Sequence, residues 1–563
     1  MSNSTAPRPE KMTRTTLGVA GLTAVSRLLG FGRDLTIAYI LGAGVAADVL
    51  VAILRLTNFI RRLTADGCFS LPFIPAYLQR LRPAPPSSPC PDNPKDQTDT
   101  LPEPLPERLP EPLPENDAAA FARGVALWVL MLALPLCLAA FIFPQTAALL
   151  LAPGFENQNA ELTQASAYLR LLLPYAFVLC LLAVGNAVLQ AHQRFYPPAL
   201  LPCIPSLTVL LVMLLAMLVA HYSGYSQNPE WPAQAALIFC QALLFSALLQ
   251  CLYTAHALHQ QGLTLRGPFD LKNAFAFMAK LPPSLCATAS HQANVLLAGM
   301  GASFLGGGAI AQFHYADQLI ALPLGLFGIT ISLVALPSLT HLAKAGLNTE
   351  LHQTLAAAIR LALFLSLPAA AGLSALALPL VKLLFLRGAF TPAAAEATAL
   401  ALGGATLCLP ALAVSRPLLA AAHACGQVRA AALAGLASMI VTALASLLLP
   451  LALPASLKIL GIGLSVSLGS LCLTIALYFA LRRRHLAPPL SLLQRSLLPL
   501  LLSLLVFAAA HSGAQYFALH NYHHLLSILI FVPLGILLYF GLALFFRCAE
   551  AKLVLGTFTR NAK

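Results

Sequence analysis

Along almost its whole length the chain alternates apolar stretches of twenty or more residues with short polar loops, and about fourteen such stretches fit between residues 15 and 547. In lipid every backbone N–H and C=O needs a partner within its own segment, so each stretch is predicted to be a transmembrane helix. With 59% hydrophobic residues, the chain lies far above the roughly 45–50% of soluble domains. The expected fold class is therefore an all-α polytopic membrane protein. The spans read as 15–41, 47–79, 118–142, 162–191, 198–221, 234–257, 274–300, 306–340, 353–376, 393–423, 428–450, 457–481, 489–512 and 523–547.

Residues 1–14 are polar, carry Arg8, Lys11 and Arg14, and show no secretory cleavage pattern. The even-numbered loops hold Arg80, Arg82, Arg194, Arg266, Lys272, Lys344, Arg429 and the triplet Arg482-Arg483-Arg484. Lys and Arg concentrate on the cytoplasmic side of membrane proteins, so both termini, 1–14 and 548–563, are expected in the cytoplasm. The same rule accounts for most of the +13 net charge and argues against nucleic acid as a partner. The twelve cysteines are scattered without zinc-ligand spacing and read as small core residues. Residues 83–117 are Pro-rich and acidic, with LPEPLPERLPEPLPE from Leu101 to Glu115, and are expected to form a disordered cytoplasmic insert.

Charge is only 9% of the chain, yet eight charged residues fall between Arg27 and Asp66: Arg27, Arg33, Asp34, Asp48, Arg55, Arg61, Arg62 and Asp66. A charge at bilayer depth costs several kcal/mol unless it meets a partner or a wet cavity. The excess of arginine points to a cavity for an anion, because the planar guanidinium fork matches phosphate. Asp48, Arg55 and Arg62 recur every seven residues and share a helix face; Asp66 follows Arg62 by four and is expected to pair with it. Arg61 lies about 100° round from that stripe. Asp34 shares a face with Arg27, and Arg33 lies about 120° away, with the Gly30-Phe31-Gly32 triplet able to bend the helix and bring both guanidiniums together. In FHYADQL, His314 and Gln318 share a face beside Asp317, and form either a proton or ion site or a plain interhelical hydrogen bond. The chain has no GxxxxGK[ST] loop, no HExxH, no GxSxG and no large soluble domain, so neither ATP hydrolysis nor any other enzyme activity is expected, and no cofactor.

At SRLLGFGRD (Ser26–Asp34), LGAGVAAD (Leu41–Asp48) and NFIRRLTADGCFSLPFIP (Asn58–Pro75) the sequence resembles the MurJ (MviN) lipid II flippases of the multidrug/oligosaccharidyl-lipid/polysaccharide exporter superfamily. The likeness continues at APGF (Ala152–Phe155), NAVLQAHQRFYPPALLP (Asn186–Pro202), YADQL (Tyr315–Leu319), LPSL (Leu336–Leu339) and RGAFT (Arg387–Thr391). The resemblance implies fourteen helices. Two six-helix lobes, 15–257 and 274–481, would surround a central cavity, and helices 13 and 14 (489–547) would form a groove for a polyprenyl tail. It implies substrate-binding roles for Arg27, Arg33, Arg61, Asp48, Ser26, Gln318 and His314, and gating or ion-pair roles for Asp34, Arg55, Arg62, Asp66 and Asp317.

The function it implies is transfer of lipid II, the undecaprenyl-diphosphate-linked peptidoglycan precursor, across the bacterial inner membrane by alternating access. Lipid II and membrane lipids would be the partners, with other cell-wall synthesis proteins as further ones, and the chain a monomer. The chain departs from the family pattern at Gln318, where an arginine commonly follows YAD, at Thr57 in place of proline, and at Asp66 in place of glutamate. Gln318 leaves room for another polyprenyl-diphosphate oligosaccharide as substrate. The remaining alternatives are an ion-coupled antiporter and a non-transporting envelope scaffold.

Overall fold

In the computed structural model, residues 9–65, 69–81, 116–260, 267–345, 347–519 and 524–552 are described, and among them there are helices and no strand. The expected insert therefore lies outside the described residues except for its last two positions. Asp66 lies outside them too, and the side chain of Arg62 is likewise not described.

The first half of the chain forms α1 (Pro9–Leu41), α2 (Val45–Ala65), α3 (Ser70–Leu81), α4 (Asn116–Ile142), α5 (Pro144–Leu151), α6 (Asn159–Ala191), α7 (Tyr196–Leu200), α8 (Cys203–Tyr222) and α9 (Trp231–His259). The second forms α10 (Leu271–Ala302), α11 (Ala309–Lys344), α12 (Asn348–Ala375), α13 (Ala377–Phe385), α14 (Pro392–Ala405), α15 (Cys408–Ala424), α16 (Val428–Ala452) and α17 (Lys458–Arg482). Last come α18 (Leu490–Leu493), α19 (Leu497–Leu519) and α20 (His524–Phe545).

The two halves repeat one pattern of neighbours. α1 packs on α8 as α10 packs on α16, and α8 packs on α9 as α16 packs on α17. Likewise α6 packs on α9 as α14 and α15 pack on α17, and α2 on α6 as α11 on α14 and α15. The succession α4, α5, Pro153-Gly154-Phe155, α6 recurs as α12, α13, Arg387-Gly388-Ala389-Phe390, α14. Small residues allow the close approaches: a Cβ on Gly463 of α17 would overlap the Ala401 carbonyl of α14.

Ten helical segments among the described residues are long and apolar enough to cross a membrane. The long helices outside that set, α1, α2, α10 and α11, carry the polar residues of the candidate site. Several predicted spans are subdivided. The 47–79 span is α2 and α3, and the 393–423 span breaks into α14 and α15, with the Thr406 hydroxyl donating to the Gly403 carbonyl at 2.8 Å. α19 and α20 lean on α12 through Phe364, whose carbonyl accepts from the Tyr539 hydroxyl at 2.8 Å.

Candidate functional site

The charged residues of α1 and α2 meet α10 and α11 along the seam between the two halves. Asp34 is buried, at 2% exposure. One of its oxygens takes both Nε (3.0 Å) and Nη2 (2.8 Å) of Arg33; the other accepts from Nε2 of Gln318 on α11. Gln318 thus supplies a neutral link across the seam to an acid that Arg33 already balances.

Arg27 lies about two turns earlier on α1 and takes a different partner: its Nη1 donates to the Ala321 carbonyl of α11 at 3.1 Å. The guanidinium lies in the space where Gly325 has no side chain, since a Cβ there would overlap it. Arg33 and Arg61 both lie within electrostatic range of the buried Tyr175 of α6. Arg27 and Arg33 thus have separate partners, the Ala321 carbonyl and Asp34. Ser26 contacts the Cys203 thiol of α8, on its own half of the molecule.

On α2 the shared face of Asp48 and Arg55 is turned to the seam. The Asp48 carboxylate accepts from the backbone N–H of Gly308 at 2.9 Å and of Ala311 at 2.8 Å, which places a negative charge on the first turn of α11. Seven residues on, buried Arg55 donates through Nη2 to the Ile310 carbonyl at 3.0 Å, stacks 5.0 Å from the Phe313 ring, and is attracted by both Asp317 and Asp48. Its Nε and Nη1 are buried without a hydrogen-bond partner. Arg55 fits against α10 only because residue 299 is glycine. It lines a polar cavity of about 30 Å³ with Asn58, Gln292, His314 and Asp317, room for a water molecule or a small ion.

Beyond Asp48 the seam is closed by main chain. Gly42 and Gly308 adopt positive φ of 62° and 92°, open to glycine without strain. A Cβ on Gly308 would overlap the Ala43 carbonyl, and one on Gly42 the Ala389 carbonyl. The Tyr315 hydroxyl donates to the Gly42 carbonyl at 2.9 Å. The two loop repeats then cross over: Ala389 N–H donates to the Tyr39 carbonyl at 2.9 Å, while Gly154 N–H donates to Ser303 Oγ at 2.9 Å. Each half inserts its loop against the end of the other half's first helix.

Sequence reasoning passed over several of these groups. Asn58 lines the cavity and Tyr175 lies within range of two arginines, yet neither is charged, so nothing marked them within apolar runs. Arg416 did leave a signal. It is a half-buried cation within the span Pro392–Ala424. No group of three or more metal-ligating side chains occurs among the described residues.

Comparison with known proteins places this arrangement. The sequence model of a family described as "Lipid II flippase MurJ" matches residues 37–536. A probable lipid II flippase MurJ of Vibrio cholerae is 28% identical over 395 residues, 69% of this chain and 68% of that protein. One from Rhizobium tropici is 27% identical over 560 residues, covering 97% and 95%. One from Buchnera aphidicola is 25% identical over 377 residues, and the match spans 66% of its length. Among solved structures, "Lipid II flippase MurJ, inward closed conformation" superposes with a TM-score of 0.72 at 20% identity, covering 94% of this chain and 99% of that one. An inward-facing MATE-family transporter of the MOP superfamily superposes at 0.59 and 16% identity, covering 82% and 98%.

Proposed function

The chain belongs to the MurJ lipid II flippase family, and from that premise we propose that it moves lipid II from the inner to the outer leaflet of the bacterial cytoplasmic membrane. Both termini face the cytoplasm in this reading, as the cation-rich even loops favour. The seam closed by Gly42, Gly308 and the crossed loops then faces the periplasm. The protein works as a monomer and performs no covalent chemistry.

The observation that carries the proposal is the gathering of Arg27 and Arg33 where α1 meets α11 at the seam. Arg27 donates to the Ala321 carbonyl of α11, and the Asp34 carboxylate that Arg33 balances is tied to α11 through Gln318. A diphosphate offers these guanidiniums charge-assisted, bidentate contacts and so competes with the links that tie α1 to α11, the Arg27 carbonyl contact above all. Entry of the headgroup from the cytoplasmic side thus loosens α1 from α11. Rocking of the two halves then exposes the headgroup outside, while the polyprenyl tail stays in lipid against α19 and α20. With no nucleotide-binding loop, the drive comes from an ion gradient, the membrane potential or precursor supply. One charge crossing 100 mV is worth about 2.3 kcal/mol, enough to bias such a cycle.

Complementation of a bacterium depleted of its own lipid II flippase tests this, with surface-exposed lipid II as readout. The wild-type chain is expected to restore exposure and Arg27→Ala to fail at equal protein level. Normal exposure in cells carrying Arg27→Ala removes the arginine from the mechanism. Failure of the wild-type chain removes lipid II. A second reading has its own observation: Gln318 leaves α11 neutral where it meets Asp34. A headgroup of lower negative charge or different sugar is the substrate under that reading. Competition between lipid II and other polyprenyl-diphosphate oligosaccharides for the purified protein separates the two.

A further inference from the structure

Away from the seam, a cleft of about 350 Å³ opens between the first turns of α12 and the short helix α18, lined by Gln353, Ala356, Arg360, Ser491 and Leu492. Arg360 is its cation. Nε pairs with Glu550 at 3.0 Å and Nη1 donates to the Leu492 carbonyl at 2.9 Å, which leaves Nη2 without a hydrogen bond; Gln353 and Ser491 line the same cleft. Three donors of different types therefore edge one hollow, the arrangement that suits a tetrahedral oxyanion.

The surroundings add charge and grease on opposite sides. His352 Nε2 donates to the His485 carbonyl at 2.8 Å, bringing the exposed triplet Arg482-Arg483-Arg484 to the start of α12. Lys552 is exposed two residues beyond Glu550. On the other side α19 begins five residues after Leu492. It presents Leu497, Leu501, Leu504 and Leu505, each 50–61% exposed, at the i, i+4, i+7 and i+8 positions of one helical face. A phosphate held in the cleft is thus followed along the chain by an exposed apolar ridge on which acyl chains can lie. A soluble anion would make no use of that ridge.

We propose that this cleft binds the phosphate of an anionic diacyl phospholipid, with the acyl chains against α19, and so pins α18 and α19 to α12. The site is separate from the arginine seam and does not rest on the identity of the transported lipid. Its chemistry is that of juxtamembrane basic clusters that recognise anionic headgroups, here completed by a hollow and a hydrophobic wall.

The test uses full-length protein in detergent and native mass spectrometry, with phosphatidylglycerol, phosphatidylcholine, a polyprenyl phosphate and inorganic phosphate as probes. Phosphatidylglycerol is expected to bind about tenfold more tightly than phosphatidylcholine. Gln353→Glu, which adds a negative charge to the lining of the cleft, is expected to lower its affinity about tenfold. Arg360→Ala should do the same, but because Arg360 also holds Glu550 and Leu492, its effect is read beside a thermal unfolding curve and Gln353→Glu decides. Equal binding of phosphatidylglycerol by wild type and Gln353→Glu overturns the proposal. So does equal binding of phosphatidylcholine, an equal stabilisation by inorganic phosphate, or preference for the polyprenyl phosphate.

Discussion

At the scale of single residues, the seam depends as much on missing side chains as on charged ones. Arg55 and Arg27 each occupy volume that a glycine on the opposing helix leaves open, Gly299 for the first and Gly325 for the second. Gly299→Ala should therefore destabilise the protein by about 1–3 kcal/mol, seen as a lower thermal midpoint, because the buried guanidinium cannot move aside without losing the Ile310 carbonyl and the Phe313 ring. Gly325→Ala should displace the half-buried Arg27 with a smaller loss of stability but a loss of transport, readable by complementation at matched expression. Asp48→Asn keeps the shape but loses the negative charge at the start of α11, about 1–2 kcal/mol. It should raise thiol labelling of a cysteine placed at Ala43. The charges themselves were legible in the sequence, since eight of them stand in an apolar region. Their partners were not. Helical phase gave the shared face of Asp48 and Arg55, but nothing in the chain says that Asp48 meets backbone N–H groups 260 residues away or that Arg33 turns to Asp34.

At the scale of elements, α10 belongs to both halves. Its first turns sit with the opposite half: Phe277 stacks edge-on with Phe69, Phe73 and Phe121, and Arg123 Nε donates to the Pro268 carbonyl at 3.0 Å. Its last turns sit with α16, where Asn294 donates to Ser438 at 2.6 Å. Between them Pro282 and Pro283 remove two backbone donors, so the helix bends most readily at the point where its partners change. Replacing both prolines with alanine should stiffen α10 and slow transport without lowering the amount of folded protein, measured as initial rate against membrane level. Apolar runs located these helices well, because a lipid-buried segment must be long and uninterrupted. They could not locate the break between α14 and α15, where the segment stays apolar and only tertiary contacts decide the geometry.

At the scale of the whole molecule, repetition is the organising fact. It was hidden in the sequence because the repeated property is which helix touches which, and many side chains satisfy the same contacts. The crossed loops bind the halves twice, through Tyr39 with Ala389 and through Gly154 with Ser303. Cysteines at positions 39 and 389, oxidised to a disulfide, should halt lipid II export, and reductant should restore it. Deleting residues 83–115 should leave growth unchanged if that insert is only a linker; a growth defect would assign it a task. Most of these fastenings use peptide groups, which every amino acid carries. Mutation can therefore rewrite the surrounding side chains freely so long as a few hydrogen-sized positions are kept. A compound wedged into that junction from outside would face a target whose means of escape by substitution are few.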